Sequence, residues 1–206
     1  MIFVRDPILQ SVPIMTLRPT QITVGMREVQ EKRKSWRVHG EKKKLDFLKR
    51  HAVPVILGFK EQLYIIDHHH LARALHDEGV KDVLVLVVRD LSSISEKSFW
   101  TFLDHHDWVY PYDETGDRCD YKKIPRSVAE LKDDPYRSLA GELRRIGGFA
   151  KDTTPFSEFL WADFLREPIG KASVKNQYKS AIKKAYKLAK SSKANYLPGW
   201  CGPVGA

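Results

Sequence analysis

The first half of the chain holds three apolar runs in a fixed order, and they constrain the fold more than any other feature. VPVILGF (53–59), KEQ (60–62) and LYIID (63–67) are followed by HHHLARALHDEG (68–79) and KDVLVLVV (81–88). Apolar β-branched runs predict strands, and a three-residue polar connection is of hairpin length. Gly79 predicts the end of the intervening helix. The third run is too apolar for an edge strand, so it is predicted to lie centrally in a sheet.

Helical patterns dominate the rest of the chain. GMREVQEKRKSWRV (25–38) predicts a charged helix with Val29 and Trp36 as core contacts, and KASVKNQYKSAIKKAYKLAKSSK (171–193) predicts one long final helix. We therefore predict an α+β fold. Its core, residues 1–118, is a small mixed sheet with flanking helices. A helical C-terminal extension, residues 119–206, is predicted to pack on that core and to end in an irregular tail from about residue 195.

Composition narrows the class of protein. No apolar run is long enough to span a membrane, and the N-terminal segment lacks the pattern of a secretory signal. The two cysteines, Cys119 and Cys201, lie far apart and form no CxxC pair, so a reducing cytoplasm is the expected location. The net charge of +9 is concentrated in residues 27–50 and 166–193. Such clustering indicates either a polyanionic partner such as DNA or a solvated surface.

The final helix carries the sharpest charge pattern. Lysines recur every four residues at Lys175, Lys179, Lys183 and Lys187. Apolar residues keep the same spacing one step earlier, at Val174, Tyr178, Ile182 and Tyr186. Residues four apart share a helix face. The pattern predicts either a docked amphipathic helix with a solvated back or a surface that contacts nucleic-acid phosphates.

Three consecutive histidines, His68, His69 and His70, lie at the junction between a predicted strand and the predicted helix that follows it. Adjacent helical residues point about 100° apart, so the three cannot share one metal ion. One of them could still bind a metal together with a distant histidine. A helix N-terminus offers free N–H groups and a positive dipole end, which favour an anion such as phosphate. Arg73 lies one turn later and could add a cation, and Asp67 is the expected N-cap.

These segments carry a resemblance. Residues 53–88 resemble the core of the ParB/sulfiredoxin superfamily, and VPIMTLRPTQITVGMREVQEK (12–32) resembles its first box, a strand, an Arg-Pro turn and a polar helix. Within that superfamily the chain is most similar to a group of ParB-like nucleases. The similarity lies in LRPTQITVGMREV, the Asp-His-His turn, WVYPYD (108–113) and DDPYRSLAGELRRIGGF (133–149).

The chain departs from other members of the superfamily. Sulfiredoxins have a cysteine in the phosphate turn, and IDHHHLA has none, so reduction of a sulfinic acid is not expected. No recognition helix like that of chromosome-segregating ParB proteins is identified. ParB-like serine kinases carry an Asp-Gly-His-His-Arg turn, which Asp67, His69 and His70 match. Here His68 replaces the glycine and Leu71 replaces the arginine, which removes a bidentate phosphate ligand.

The resemblance implies phosphoryl chemistry. Glu28 lies where the related kinases place a catalytic glutamate, and Glu31 is the alternative. Glu28 could equally be a solvated carboxylate paired with Lys32 at i+4. The catalytic candidates are Glu28, Asp67 and His69. The candidates for phosphate or nucleotide binding are Arg27, His68, His69, His70 and Arg73. The expected cofactor is a nucleotide, ATP or ADP, with Mg²⁺, and no metal ligand is assigned.

Three functions fit these residues. The first is a nucleotide-binding nuclease or NTPase that acts on phosphoester bonds, with DNA as a partner through the lysine-rich helix. The second is a nucleotide-dependent kinase of a small hydroxylated metabolite. The third is a non-catalytic DNA-binding or regulatory module that retains only the fold.

Overall fold

A five-stranded mixed sheet organises the first half of the chain. The computed structural model describes residues 8–203, apart from the side chains of Ile8 and Glu41. The strands of the sheet are β1 (Ile8–Pro13), β2 (Leu17–Arg18), β4 (Val53–Leu57), β5 (Leu63–Ile65) and β6 (Asp82–Asp90). Their order is β1-β6-β4-β5-β2, and β3 (Thr23–Val24) pairs separately with β7 (Lys132–Asp133).

Eight α-helices lie within the described residues. They are α1 (Met26–Arg37), α2 (Glu41–Arg50), α3 (His69–Asp77), α4 (Glu96–His105), α5 (Pro135–Arg145), α6 (Ser157–Arg166), α7 (Lys171–Asn176) and α8 (Tyr178–Ala189). The first four belong to the predicted core and the last four to the predicted extension. The α+β fold class is confirmed.

The strand predictions for the first half are confirmed. β4 and β5 form the antiparallel hairpin, with Val55 opposite Ile65. β6 runs between β1 and β4, antiparallel to the first and parallel to the second, so the most apolar run is central. Gly79 follows α3 with a φ of +72°, a left-handed conformation that glycine adopts without steric cost.

Two apolar clusters cover the two faces of the sheet. Val29 of α1 and Leu75 of α3 pack with strand residues such as Val85, and all three are buried. On the other side, Phe99 and Leu103 of α4 pack on Ile56. Because the strands present apolar side chains in both directions, helices are needed on both faces to keep these side chains from water.

The extension has its own apolar cluster but is joined to the core by backbone pairing. Trp161 of α6 is fully buried against α5 and stacks on Phe149 at 4.2 Å between ring centroids. The strand β7 pairs in parallel with β3, with Thr23 opposite Lys132. The chain beyond residue 194 is irregular up to residue 203, as expected for the tail. The predicted boundary at residue 118 stays a prediction.

The prediction of one continuous final helix is wrong. The segment breaks at Gln177 (φ −131°, ψ 47°), which separates α7 from α8. Lys175 therefore lies on a different helix from Lys179, Lys183 and Lys187. The buried stripe of α8 consists of three alanines four residues apart, Ala181, Ala185 and Ala189. Small side chains allow α8 to approach its neighbours closely. The larger residues of the predicted apolar face, Tyr178, Ile182 and Tyr186, lie beside this stripe and are only partly buried.

Candidate functional site

The turn between β5 and α3 places the histidines at a helix N-terminus without a side-chain cap. The N-cap residue is His68, whose φ of +66° is a left-handed conformation uncommon for any residue other than glycine. The prediction that Asp67 is the N-cap is wrong, because its Oδ1 accepts a hydrogen bond from the N–H of His68, at 2.6 Å. The Asp67 side chain is 76% exposed. The first N–H groups of α3 therefore stay available to a ligand.

His69 and His70 use their rings to hold the first box of the chain against α3. The Nε2 of His69 accepts a hydrogen bond from the backbone N–H of Thr20 at 3.1 Å. The Nε2 of His70 accepts one from the N–H of Gly25 at 2.9 Å. An imidazole nitrogen that accepts a hydrogen bond carries no proton, so these contacts stabilise the neutral form of each ring.

Both rings are neutral at pH 7. Burial lowers the pKa of His69 and of His70 from 6.5 to about 3; for His70, Arg137 and Lys32 act in the same direction and Glu28 acts against them. Burial also lowers the pKa of His68. Positive charge for an anion must therefore come from other side chains. The catalytic role of His69 and the phosphate-binding roles of all three histidines stay predictions.

A cavity of about 730 Å³ opens at the N-terminus of α3. The histidine turn, α1, α5, residues 151–155 and the start of α6 line it, together with residues in and next to α2 and with residues 107–108. Four cationic side chains line it, namely Lys32, Arg137, Arg144 and Lys151. The cavity is thus assembled from both halves of the chain, which sequence reasoning about the histidine turn alone did not reveal.

Glu28 lies between the histidine turn and the extension. Its Oε2 is 3.6 Å from the Nε2 of His70 and 3.2 Å from the Nη1 of Arg137. Its Oε1 is 3.6 Å from the Nζ of Lys32, so the i+4 pair is present. Burial alone would raise the pKa of Glu28, but the positive charges of Arg137, Lys32 and Arg144 hold it below its usual range. The carboxylate is therefore ionised at pH 7. The alternative, Glu31, is 50% exposed and bonds Lys34.

Two arginines predicted to bind phosphate lie elsewhere. The guanidinium of Arg73 bonds Asp77 at 2.9 Å and the carbonyl oxygen of Leu131 at 2.8 Å, and it does not line the cavity. It ties α3 to the segment before β7. The guanidinium of Arg27 lies 3.8 Å from the ring centroid of Tyr178 and lines a second, adjoining cavity of about 590 Å³.

The arginine that sequence reasoning missed is Arg137 of α5. It is 8% exposed and bonds Glu28, and it comes from the DDPYRSLAG segment rather than from the histidine turn. The buried carboxylate of Asp134 begins this helix by accepting a hydrogen bond from the N–H of Tyr136. The signal in the sequence was the Asp-Asp-Pro helix start, which fixes where α5 begins.

Carboxylates line the cavity without forming a metal centre. They are Glu28, Asp67, Asp107, Asp152 and Glu158. Within residues 8–203 no three His, Cys, Asp or Glu side chains are grouped so that they could hold a metal ion. The same part of the chain contains no helix that is long and apolar enough to cross a membrane.

Comparison with known proteins supports the predicted family and fold. Residues 10–167 match the family described as "Putative ParB-like nuclease", and the chain belongs to this family. The crystal structure of protein Atu1540 from Agrobacterium tumefaciens is similar to this structure, with a TM-score of 0.91 and 48% sequence identity. The similarity covers 97% of this chain and 99% of that one. No curated protein matches. The family match continues past the core to α6, so it includes the helix that carries Arg137.

Proposed function

We propose that the cavity binds a phosphate group of a nucleotide or of a nucleic-acid strand, and that the protein hydrolyses a phosphoester bond there. The observation that carries this proposal is the juxtaposition of an uncapped helix N-terminus with an ionised glutamate and buried positive charge. Backbone N–H groups at the start of α3 suit phosphate oxygens. Glu28, next to Arg137 and His70, is placed to orient a water molecule.

The roles of the predicted residues follow from this geometry. His69 and His70 position the first box through Thr20 and Gly25. Asp67 lines the cavity with an exposed carboxylate. Mg²⁺ binds proteins through one or two carboxylates together with substrate phosphates, so Asp67 fits a metal that arrives with the nucleotide. The metal would neutralise phosphate charge.

The test is phosphate release from ATP, ADP, CTP and GTP and cleavage of single- and double-stranded oligonucleotides, each with Mg²⁺ and with a chelator. We expect one of these substrates to turn over, and the Glu28→Gln protein to be at least about 100-fold slower, as is typical for loss of a general base. No turnover of any nucleotide or oligonucleotide by the folded native protein would refute the proposal.

A kinase of a small metabolite is the second candidate, because a second cavity adjoins the first. The two cavities share Glu28, Arg144 and Lys151. A two-substrate enzyme needs such an arrangement, with the phosphate donor on one side of the carboxylate and the acceptor on the other. Nucleotide consumption that requires an added hydroxylated acceptor would select this function over hydrolysis.

Nucleic-acid contact through the lysine-rich helices is part of the first proposal. Lys175 of α7 and Lys179, Lys183 and Lys187 of α8 are exposed, and no ion pair is found for them among the described residues. We expect affinity for DNA to fall steeply with salt, and the slope of log affinity against log salt to shrink by about 1 for each lysine removed. Fluorescence anisotropy with Lys→Gln variants measures both.

A further inference from the structure

Arg137 of α5, which lies outside the histidine turn, is the most deeply buried of the four cations that line the cavity. Arg137 is 8% exposed, and its Nη1 lies 3.2 Å from Glu28. Its Nη2 is 3.9 Å from Glu158, and its guanidinium carbon lies 5.3 Å from the ring centroid of Phe159. Its Nε is buried and has no hydrogen-bond partner within the described part of the chain. A buried donor without an acceptor is costly, so a ligand that brings an acceptor oxygen would be stabilising.

The other cations of the cavity are less suited to bind a buried phosphate. Arg144 is held by Glu158 at 2.7 Å. Lys32 is 39% exposed, and Lys151 is exposed as well. A planar guanidinium also binds two phosphate oxygens at once, which an ammonium group cannot do. Among the four cations, only Arg137 is both buried and left with an unused N–H group within the described residues.

A glycine on α5 leaves open space beside the guanidinium of Arg137. Gly141 lies one turn later on α5, and a Cβ atom there would be 3.2 Å from the Nη1 of Arg137 and 3.4 Å from the Oε2 of Glu28. The first distance is tighter than most Cβ contacts. The absence of a side chain at Gly141 therefore leaves the space in which the guanidinium can turn from one partner to another.

We propose that Arg137 is the phosphate-binding arginine of this site, and that on binding it exchanges the Glu28 carboxylate for phosphate oxygens. This rests on the proposed function, because it requires a phosphate at the N-terminus of α3. The exchange couples phosphate binding to the activity of Glu28. The carboxylate loses Arg137, its nearest cation at 3.2 Å, only when a phosphate is bound. The extension then completes the site rather than only packing on the core.

The exchange changes the basicity of Glu28. The charged or titratable groups that face it are Lys32 of α1, His70 of α3, and Arg137 and Arg144 of α5. Without ligand the charges of Arg137, Lys32 and Arg144 hold the pKa of Glu28 below its usual range against the effect of burial, so the carboxylate is a weak base. When Arg137 binds phosphate instead of Glu28, fewer positive charges offset the effect of burial, so the pKa of Glu28 rises. A general base works best when its pKa approaches the working pH.

The experiment is calorimetric titration of the full chain with pyrophosphate at pH 7. We expect Arg137→Gln to weaken binding at least about tenfold, as for loss of a charge-assisted hydrogen bond. Glu28→Gln should bind as tightly as the native protein or more tightly, because the competing carboxylate is gone. Arg33→Gln is the matched control, since Arg33 bonds Glu78 outside the cavity and should leave affinity unchanged.

Gly141→Ala keeps the inference testable if Arg137→Gln fails to fold. We expect its melting temperature to be unchanged or higher, because alanine favours a helix, while its affinity for pyrophosphate falls. Unchanged affinity in Arg137→Gln and Gly141→Ala would overturn the inference and leave the phosphate site intact. Equal loss in Glu28→Gln and Arg137→Gln would overturn the exchange. If the native protein binds neither pyrophosphate, Mg-ATP nor oligonucleotide, the proposed function itself fails.

Discussion

Lowering the pH should already destabilise this protein between about pH 7 and pH 5, before carboxylates begin to take up protons. His69 and His70 have a pKa of about 3 in the folded protein and 6.5 when exposed. Between these values the unfolded chain binds two more protons than the folded one. The free energy of unfolding is therefore highest above pH 7 and decreases as the pH falls through 6.5 toward 3.

The magnitude follows from the shift. One proton changes the free energy of unfolding by about 1.4 kcal/mol per pH unit, so two histidines approach about 2.8 kcal/mol per unit below about pH 5.5. From pH 7.5 to pH 5 each histidine accounts for a loss of roughly 2 kcal/mol, and the pair for roughly 4 kcal/mol. Because domains are stable by only about 5–15 kcal/mol, this is a large share. Urea unfolding followed by circular dichroism across this range measures it.

Variants separate the histidines from other groups. His70→Gln should halve the slope, because Gln can still accept the hydrogen bond from Gly25 but binds no proton. His105→Gln, which replaces an exposed histidine outside the turn, is the matched control. Burial raises the pKa of Asp163, which acts in the opposite direction, so Asp163→Asn should steepen the slope. A native slope near zero between pH 5 and 6, or an unchanged slope in His70→Gln, would refute the reasoning.

Three further predictions concern stability and use the same urea assay. Gly25→Ala should cost more than about 2 kcal/mol, because its Cβ would lie 2.8 Å from a backbone nitrogen of α5, whereas Gly40→Ala, with nothing within 4 Å, should change stability by less than about 0.5 kcal/mol. His68→Gly should be neutral or stabilising by up to about 1 kcal/mol, since glycine removes the left-handed strain; a loss above that value would contradict it. Asp134→Ala should cost about 2 kcal/mol or more, because it removes the cap of α5 and one of the two carboxylates that bond the partly buried Arg166, the other being Asp163; a loss below about 1 kcal/mol would be inconsistent with this.

The strands and most helices of the first half could be predicted from the sequence because their signals are local. Alternating and continuous apolar runs define β4, β5 and β6, and Gly79 marks the end of α3. The break at Gln177 could not be predicted. The lysine spacing continues across it, and α7 and α8 both pack on α5, a helix much earlier in the chain.

The candidate site was predicted only in part. The histidine turn could be identified because it lies between a recognisable strand and a helix start, and Glu28 through the resemblance to ParB-like kinases. The neutrality of His69 and His70 could not, because it depends on burial and on N–H groups donated by residues 45 and 49 positions away. The orientation of Arg73 away from the cavity likewise depends on Leu131, which is 58 residues later.

The sequence by itself determined the α+β class, the β-hairpin, helix and strand order, and the placement of histidines at a helix start. Periodicity, turn residues and composition encode these features within a few consecutive residues. Only the tertiary structure decided that Arg137 completes the cavity, because 109 residues separate it from Glu28. That contact requires α5 to pack on α1, which the β3–β7 pair fixes in place. Charge and burial at a site depend on such long-range packing.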